Sequence, residues 1–231
     1  MFSLKPVLKR LKRNAFSFAC TFIVSLAISG FYPSFRDFVS WHAQYQLCQA
    51  AAHGKTTRTR LLVLAGANAD GWNATYKPLL FAARYGQTEA ARLLLDAGAD
   101  VNSIGTWKQT PLMEAVQGQH MGTARLLMIR GASVEPVDIN SGTALWHATR
   151  GRDAQTVRLL MSFGARNCRD AETALTAAVE NNDRDTIQAL LDGGVDPRDV
   201  TATHLVLPLT KVAARNKQPE IVKMLKAAGA R

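Results

Sequence analysis

The residues that could do chemistry are few and scattered in this chain of 231 residues. The segment His53–Thr57, with the sequence HGKTT, is similar to the last residues of a phosphate-binding loop, a motif in which backbone N–H groups and a lysine hold phosphate oxygens. Gln49 stands where that motif needs its first glycine, and no predicted strand precedes it. The sequence therefore predicts a turn between helices here, not a nucleotide site.

Metal-ligating and nucleophilic side chains also lack the spacing that a site requires. The histidines and cysteines are His42, His53, His120, His147, His204, Cys20, Cys48 and Cys168. No two of these histidines lie one helical turn apart, and the cysteines show no zinc-binding spacing. We therefore expect no catalytic group, no metal, no cofactor and no small-molecule substrate, and we interpret the protein as a non-enzyme.

A sequence motif is repeated along the chain, and the structural units that it defines must position any functional side chains. Its clearest copy is LLLDAGADVN, from Leu93 to Asn102, and its glycine recurs at steps of 32, 33, 33, 30 and 35 residues. The recurring glycines are Gly66, Gly98, Gly131, Gly164, Gly194 and Gly229. An apolar helical pattern precedes each glycine, and a period near 33 residues indicates stacked helix–turn–helix units.

Three motifs in this sequence resemble the ankyrin repeat: Thr110-Pro111-Leu112, Ala82-Ala83 and Gly98–Asn102. The resemblance covers about residues 45–231 and is most specific in the second and third units. It implies an all-α solenoid of about six helix–turn–helix units, in which stacking buries the apolar face of each helix pair. The predicted units are 45–74, 75–107, 108–140, 141–170, 171–204 and 205–231.

One family feature is missing from the turns. Ankyrin units usually carry a histidine after Thr-Pro-Leu, where it ties neighbouring turns together. The equivalent positions here hold Leu80, Met113, Trp146 and Thr176. His147 lies one position later and is not expected to take this role, whereas His120 aligns with a structural histidine common in the family. We expect packing to replace the hydrogen-bonded ladder, with Trp146 in the core.

The net charge of +10 does not predict a nucleic-acid site. Five of the 28 basic residues lie in residues 1–14, and the other 23 are nearly balanced by 18 acidic residues. Such a mildly basic surface differs from the concentrated stripe that binds nucleic acid. The acidic group Glu180, Asp183 and Asp185 is interpreted as a solvated turn.

The residues before the repeats differ from them in composition. Residues 1–14 are cationic, and residues 15–32 carry no charge. As a helix, residues 15–32 would be about 27 Å long, which is just enough to span the hydrocarbon core of a membrane. We predict one N-terminal apolar helix here. This helix is either a retained transmembrane signal anchor or a cleaved signal peptide, and we favour the anchor. Residues 33–44 are predicted to form a capping helix that runs on into the first unit.

The order of these segments predicts a topology. Because the cationic cluster precedes the apolar run, residues 1–14 are expected in the cytoplasm and the repeats on the other side of a bacterial inner membrane. The repeats would then face the periplasm, held by residues 15–32, or would be free in the periplasm if the leader is cleaved.

The resemblance implies that loop tips and first helices line a concave face that binds a protein partner. By position, the candidate partner-binding residues are Tyr76, Arg84, Tyr85, Thr106, Trp107, Gln117, Ile139 and Arg150. Tyrosine, tryptophan and arginine are enriched among the residues that dominate binding energy at interfaces. A tip aromatic such as Trp107 could instead pack on the neighbouring loop.

These observations favour a non-enzymatic protein–protein interaction module that faces the periplasm. Small bacterial ankyrin proteins with such a leader resemble immunity proteins, which neutralise a secreted toxic effector by covering its active site. This is the sharper hypothesis. Two alternatives stay open: a scaffold or accessory factor for a periplasmic stress-response enzyme, and a cytosolic or host-targeted ankyrin effector.

Overall fold

The computed structural model describes residues 33–165, 170–198, 201–202 and 207–230. Within these ranges the chain forms twelve helices and one pair of two-residue strands. In chain order they are α1 (Pro33–Ala52), α2 (Thr56–Leu64), α3 (Pro78–Arg84), α4 (Thr88–Asp96), α5 (Pro111–Gln117), α6 (Met121–Ile129), α7 (Ala144–Arg150), α8 (Ala154–Ser162), α9 (Ala171–Glu180), α10 (Arg184–Asp192), β1 (Thr201–Ala202), β2 (Leu207–Pro208), α11 (Leu209–Arg215) and α12 (Pro219–Ala227). The helical array predicted from the sequence is present, with the strand pair in addition.

Each unit is a pair of helices, and a glycine ends the second helix of the pair. The six recurring glycines all have φ between +89° and +98°. A side chain is strained in this left-handed conformation, whereas glycine adopts it freely. The next residue closes the helix end, as where the Ala99 N–H donates to the Leu94 carbonyl at 3.0 Å. The repeated glycines therefore mark the ends of the second helices, as predicted.

The units stack so that equivalent helices lie side by side. The first helices α1, α3, α5, α7, α9 and α11 contact one another in that order and form one layer. In the second layer α2 packs on α4, α4 on α6, and α8 on α10. Ala82 and Ala115, which lie at equivalent first-helix positions, are fully buried and allow a close approach. Leu94, Leu127 and Leu160 fill the space between the layers and are also fully buried.

The first helix, α1, merges the predicted capping segment with the first unit. It spans 20 residues, whereas α3 spans 7 and α9 spans 10. Its last turns bury Leu47 and Ala51, and the helix packs on α3. Gln44 is also buried and donates from Nε2 to the Asn68 carbonyl at 2.9 Å. The predicted boundary after residue 44 is therefore not a break in secondary structure.

The connection between the fifth and sixth units differs from the others. Here Thr201–Ala202 pairs in antiparallel fashion with Leu207–Pro208, and the repeat interval is at its longest. Among the helices of the described ranges, none is both long and apolar enough to cross a membrane. The apolar helix predicted at 15–32 lies outside the described residues.

Hydrogen bonds between neighbouring turns are present although the usual histidine is missing. The Asn102 side-chain oxygen accepts from the Ser133 N–H at 2.8 Å, and the Trp107 carbonyl accepts from the Ile139 N–H at 3.2 Å. These bonds run from one tip to the next. Packing is thus supplemented by a ladder built from other residues.

Two histidines also join neighbouring units. His120 places a ring nitrogen 3.1 Å from the Arg84 carbonyl, and its ring lies against Gly86. This agrees with the structural role predicted for it. His147 bonds to the carboxylate of Asp138 at 3.0 Å and to the side chain of Gln117. The sequence predicts that His147 does not take the role of the family histidine, and in the structure its ring bonds instead to Asp138, in the tip that precedes its own helix, and to Gln117 of the third unit.

Candidate partner-binding face

A cavity of about 180 Å³ opens at the loop tips between the second and third units. Three of the eight candidate residues, Arg84, Thr106 and Trp107, line it together. The other lining residues are Ala74, Thr75, Leu80, Phe81, Gln109 and Glu114. A small recess with apolar walls and a few polar groups suits a single protruding side chain of a protein partner.

An ion pair between neighbouring first helices lines this cavity. Arg84 on α3 donates from Nε to Glu114 Oε2 at 2.8 Å and from Nη2 to Oε1 at 2.5 Å. The Glu114 side chain is 3% exposed and the Arg84 side chain 47%. The bond to Glu114 is the main cause that raises the pKa of Arg84. Two parallel bonds fix the guanidinium plane, so Arg84 presents its exposed edge in one orientation.

Trp107 lies at the tip beside the cavity and is 59% exposed. Its backbone is held, because its carbonyl accepts the Ile139 N–H of the next tip. Ile139 is exposed as well, and the Thr106 hydroxyl lies 3.4 Å from the Thr75 hydroxyl of the preceding tip. The larger part of the Trp107 ring therefore faces solvent on a backbone that is already ordered, which lowers the entropic cost of binding.

A polar chain joins the third unit to the fourth. Burial is the largest influence on His147 and lowers its pKa, although Asp138 opposes this, so the ring is neutral at pH 7. The neutral ring then carries its proton on Nε2 for the Asp138 carboxylate, and Nδ1 accepts from Gln117 Nε2 at 3.2 Å. Gln117, a candidate partner-binding residue, therefore also joins the third unit to the fourth.

Asp138 closes the tip at the other end of this chain. Its Oδ1 accepts from the N–H groups of Asn140 at 2.8 Å and Gly142 at 3.0 Å. Burial acts to raise the pKa of Asp138, but these donors and His147 outweigh burial and lower it. The tip that carries Ile139 is therefore shaped by an ionised carboxylate.

Arg150 is exposed on α7 and lies over the ring of Trp146, with 5.1 Å from Cζ to the ring centroid. Trp146 is half-buried and rests on Gly142. The core position predicted for Trp146 is therefore wrong. Leu80 and Met113 are buried at the equivalent positions, but the larger indole extends beyond the space that they fill.

The two candidate tyrosines differ in their surroundings. Tyr76 is half-buried, and its ring meets Trp41 and Tyr45 of α1 edge-on, with centroids 6.3 Å apart in both cases. Tyr85 follows the last residue of α3 and is exposed. Tyr76 therefore joins α1 to the first tip, whereas Tyr85 presents its ring to solvent.

Comparison with known proteins identifies the repeat. The family model described as ankyrin repeats, in three copies, matches residues 47–138 and 120–201. These matches together cover more than half of the chain. The chain belongs to the ankyrin repeat family. None of the curated proteins compared with the chain matches it.

Membership of the ankyrin family indicates a protein–protein interaction module, and such modules are generally non-enzymatic. The HGKTT segment forms the turn between the two helices of the first ankyrin unit, where the Lys55 N–H donates to the Ala50 carbonyl at 2.9 Å. In the part of the chain that the structure describes, no three His, Cys, Asp or Glu residues lie close enough together to hold a metal ion.

The ankyrin tips carry three further exposed apolar residues, which are not among the candidate residues predicted from the sequence. Trp72, Ile104 and Val137 occupy equivalent positions in successive tips, and each is roughly half exposed. Each lies six residues after a recurring glycine, so an alignment of the tips could have found them. Glu114 could not have been found in this way, because its burial depends on Arg84 of the preceding unit.

Proposed function

We propose that this ankyrin array binds a protein partner through the tips and first helices of its second, third and fourth units. This surface, the tip face, is defined by Arg84, Tyr85, Trp107, Ile139 and Arg150. The observation that carries the proposal is the exposed Trp107 ring, held on an ordered backbone beside a cavity of about 180 Å³. Aromatic and arginine side chains at a recess are the residue types that dominate binding energy.

Binding itself is the activity that we propose for the tip face. The Arg84–Glu114 pair and the hydrogen bonds between tips order the surface before a partner arrives. A preordered surface loses less entropy on binding, which favours tight association. Such a face laid over the active site of a secreted toxic effector would block it, so an immunity function is the form of binding that we propose.

The proposed location follows from the first 32 residues of the sequence. Residues 1–14 are cationic and residues 15–32 uncharged, an order that favours repeats in the periplasm. Alkaline phosphatase fused to the carboxy terminus should then be active in bacterial cells, because it folds only after export. An inactive but stable fusion would rule out the periplasmic location.

The tip face can be tested by measuring binding to a candidate effector, chosen from the products of genes that neighbour the gene for this protein. We expect Trp107→Ala to weaken binding about tenfold or more, because a central aromatic is lost. Tyr85→Ala should weaken it less. Ile129→Ala is a matched control, since Ile129 is at least as exposed as Trp107 and Tyr85 but lies on α6 in the other layer. Unchanged affinity in both tip variants would remove the tip face from the interface.

A further inference from the structure

A second groove lies between the fourth and fifth units, apart from the cavity at Trp107. Its volume is about 320 Å³. The residues that matter for its chemistry are Trp146, Asp170, Thr173, Thr176 and Glu180. None of the described residues that line it is basic, although the whole chain carries a net charge of +10.

The polar groups of this groove are mostly hydrogen-bond acceptors. Thr173 donates its hydroxyl hydrogen to the Asp170 carbonyl at 2.9 Å, and Thr176 donates its own to the Glu172 carbonyl at 3.1 Å. Each hydroxyl therefore keeps only lone pairs for a further partner. The carboxylates of Asp170 and Glu180 also only accept. A ligand that satisfies this groove must be a hydrogen-bond donor.

The two carboxylates differ in how they are held. Asp170 is 7% exposed, and its Oδ2 accepts the Thr143 N–H at 3.1 Å, which keeps the group in place. Glu180 is exposed, and its carboxylate makes no hydrogen bond or ion pair with the side chain of any other described residue. The groove thus combines a fixed negative charge with one that can move toward a ligand.

The aromatic ring of the groove already accepts a cation. The guanidinium of Arg150 lies 5.1 Å from the centroid of the Trp146 ring, within the range in which a cation is attracted to the ring face. This contact is independent of the carboxylates and shows that the ring accommodates a cationic group.

We propose that this groove binds a cationic side chain, a lysine or an arginine, of the protein partner. The ammonium or guanidinium would donate to the Glu180 carboxylate and the Thr176 hydroxyl, while the fixed charge of Asp170 attracts it from the other end of the groove and the aliphatic part of the side chain lies along the Trp146 ring. The inference rests on the proposed function and adds to it a basic residue on the partner.

The probe is a capped tripeptide, Gly-Lys-Gly, compared with its neutral counterpart in which norleucine replaces the lysine. The full chain, with ¹⁵N-labelled tryptophan in a zwitterionic detergent, is titrated while the indole N–H resonance of Trp146 is followed by NMR. Trp146→Phe assigns the resonance. We expect a saturable shift with the lysine peptide that weakens with added salt, and none with the norleucine peptide. Equal responses to both peptides, or no saturation, would overturn the proposal.

Three charge variants sharpen this test. Glu180→Gln should weaken lysine binding about threefold, the contribution of one exposed ion pair. Arg150→Gln should strengthen it, because a competing cation leaves the ring. Glu172→Gln removes the same charge from the same helix but lies outside the lining of the groove, and should leave the affinity unchanged. Wild-type affinity in the Glu180 variant would also overturn the proposal.

The outcomes separate this inference from the proposed function. Partner binding that depends on Trp107, without a lysine response at Trp146, would overturn the groove alone. A lysine response at Trp146, with partner binding that is insensitive to Trp107 and Tyr85, would overturn the tip face alone.

Discussion

Glu114 illustrates how a residue is defined by a neighbour 30 positions away in the sequence. In an isolated helix its carboxylate would face water, yet here the side chain is almost fully buried and Arg84 binds both of its oxygens. A buried charge is tolerated when it is paired and becomes costly when its partner is removed. The pair therefore matters for stability as well as for the shape of the tip face.

Arg84→Ala leaves the Glu114 carboxylate buried without its partner. We expect a loss of about 2 kcal/mol in the free energy of unfolding, less than for a fully buried pair because water reaches the half-exposed guanidinium. The double variant Arg84→Ala, Glu114→Gln should lose less than Arg84→Ala alone, because no charge stays buried. Urea denaturation measures both, and equal losses in the single and double variants would contradict this account.

His147 makes stability depend on pH. Burial is the main cause that lowers its pKa below 6.5 in the folded chain, so the unfolded chain binds a proton at a higher pH than the folded one. The contribution is complete above about pH 6.5 and is lost as the pH falls toward the folded pKa. We expect urea midpoints to fall between pH 7.5 and 5.5, and to fall less in His147→Gln. Equal falls in both proteins would argue against this role.

Cys48 should be chemically inert while the protein is folded. The side chain is buried in α1, and burial raises its pKa to about 12. Because the thiolate is the reactive form, we expect iodoacetamide at pH 8 to label Cys48 far more slowly in the native protein than in urea. Mass spectrometry of the Cys48 peptide gives the rate for this cysteine alone. Rapid native labelling would show that the first unit opens readily.

At the scale of the elements, two glycine turns with similar backbone conformations differ in the side chains that surround them. Gly98 ends α4 with φ +89°, and a Cβ added there would meet nothing within 4 Å. Gly86 lies between α3 and α4 with φ +67°, but a Cβ there would lie 2.5 Å from Nδ1 of His120. The turn at Gly86 therefore packs against His120 of the next unit in addition to reversing the chain.

This difference predicts unequal costs for the same substitution. Gly98→Ala should cost about 1 kcal/mol, the strain of a left-handed residue, whereas Gly86→Ala should cost clearly more because His120 must also move. Adding His120→Ala should relieve the clash but not the strain, so the effect of the Gly86 change measured in that background should approach that of Gly98→Ala. Thermal and urea unfolding of the wild type, the two glycine variants, His120→Ala and the double variant Gly86→Ala, His120→Ala would test this, and equal costs for the two glycine variants would contradict it.

At the scale of the whole molecule, stability is the sum of the units and of the interfaces between them. In the third unit α6 buries five residues and packs on α4 of the second unit. In the sixth unit α12 buries only Ile221 and Leu225. The array is therefore expected to be less stable at its sixth unit than in its middle.

Hydrogen exchange should show this gradient directly. We expect amides of α12 to exchange with a lower free energy of opening than amides of α6, because fewer apolar contacts break when α12 separates. Mass spectrometry of peptides from the two helices gives the comparison under native conditions. Equal protection along the array would mean that it unfolds as one cooperative unit.

The sequence alone determined the repeat, the helix pairs and the residues of the tips. Gly98, Thr110 and Trp107 are informative because the chain reverses within a few residues, and such local constraints recur at the period of the units. The repeat pattern placed Arg84, Thr106 and Trp107 on one face by position, whereas the cavity that they line together was seen only in the structure.

Only the tertiary structure decided which side chains pair between units. The burial of Glu114 by Arg84, the bond from His147 to Asp138 and the exposed edge of Trp146 were not visible in the pattern of repeats. These contacts depend on the size and charge of residues that lie 9 positions apart in one case and 30 in another, and they vary from one interface to the next. A periodic sequence specifies where such residues stand, whereas the packing of each individual pair specifies what they bind.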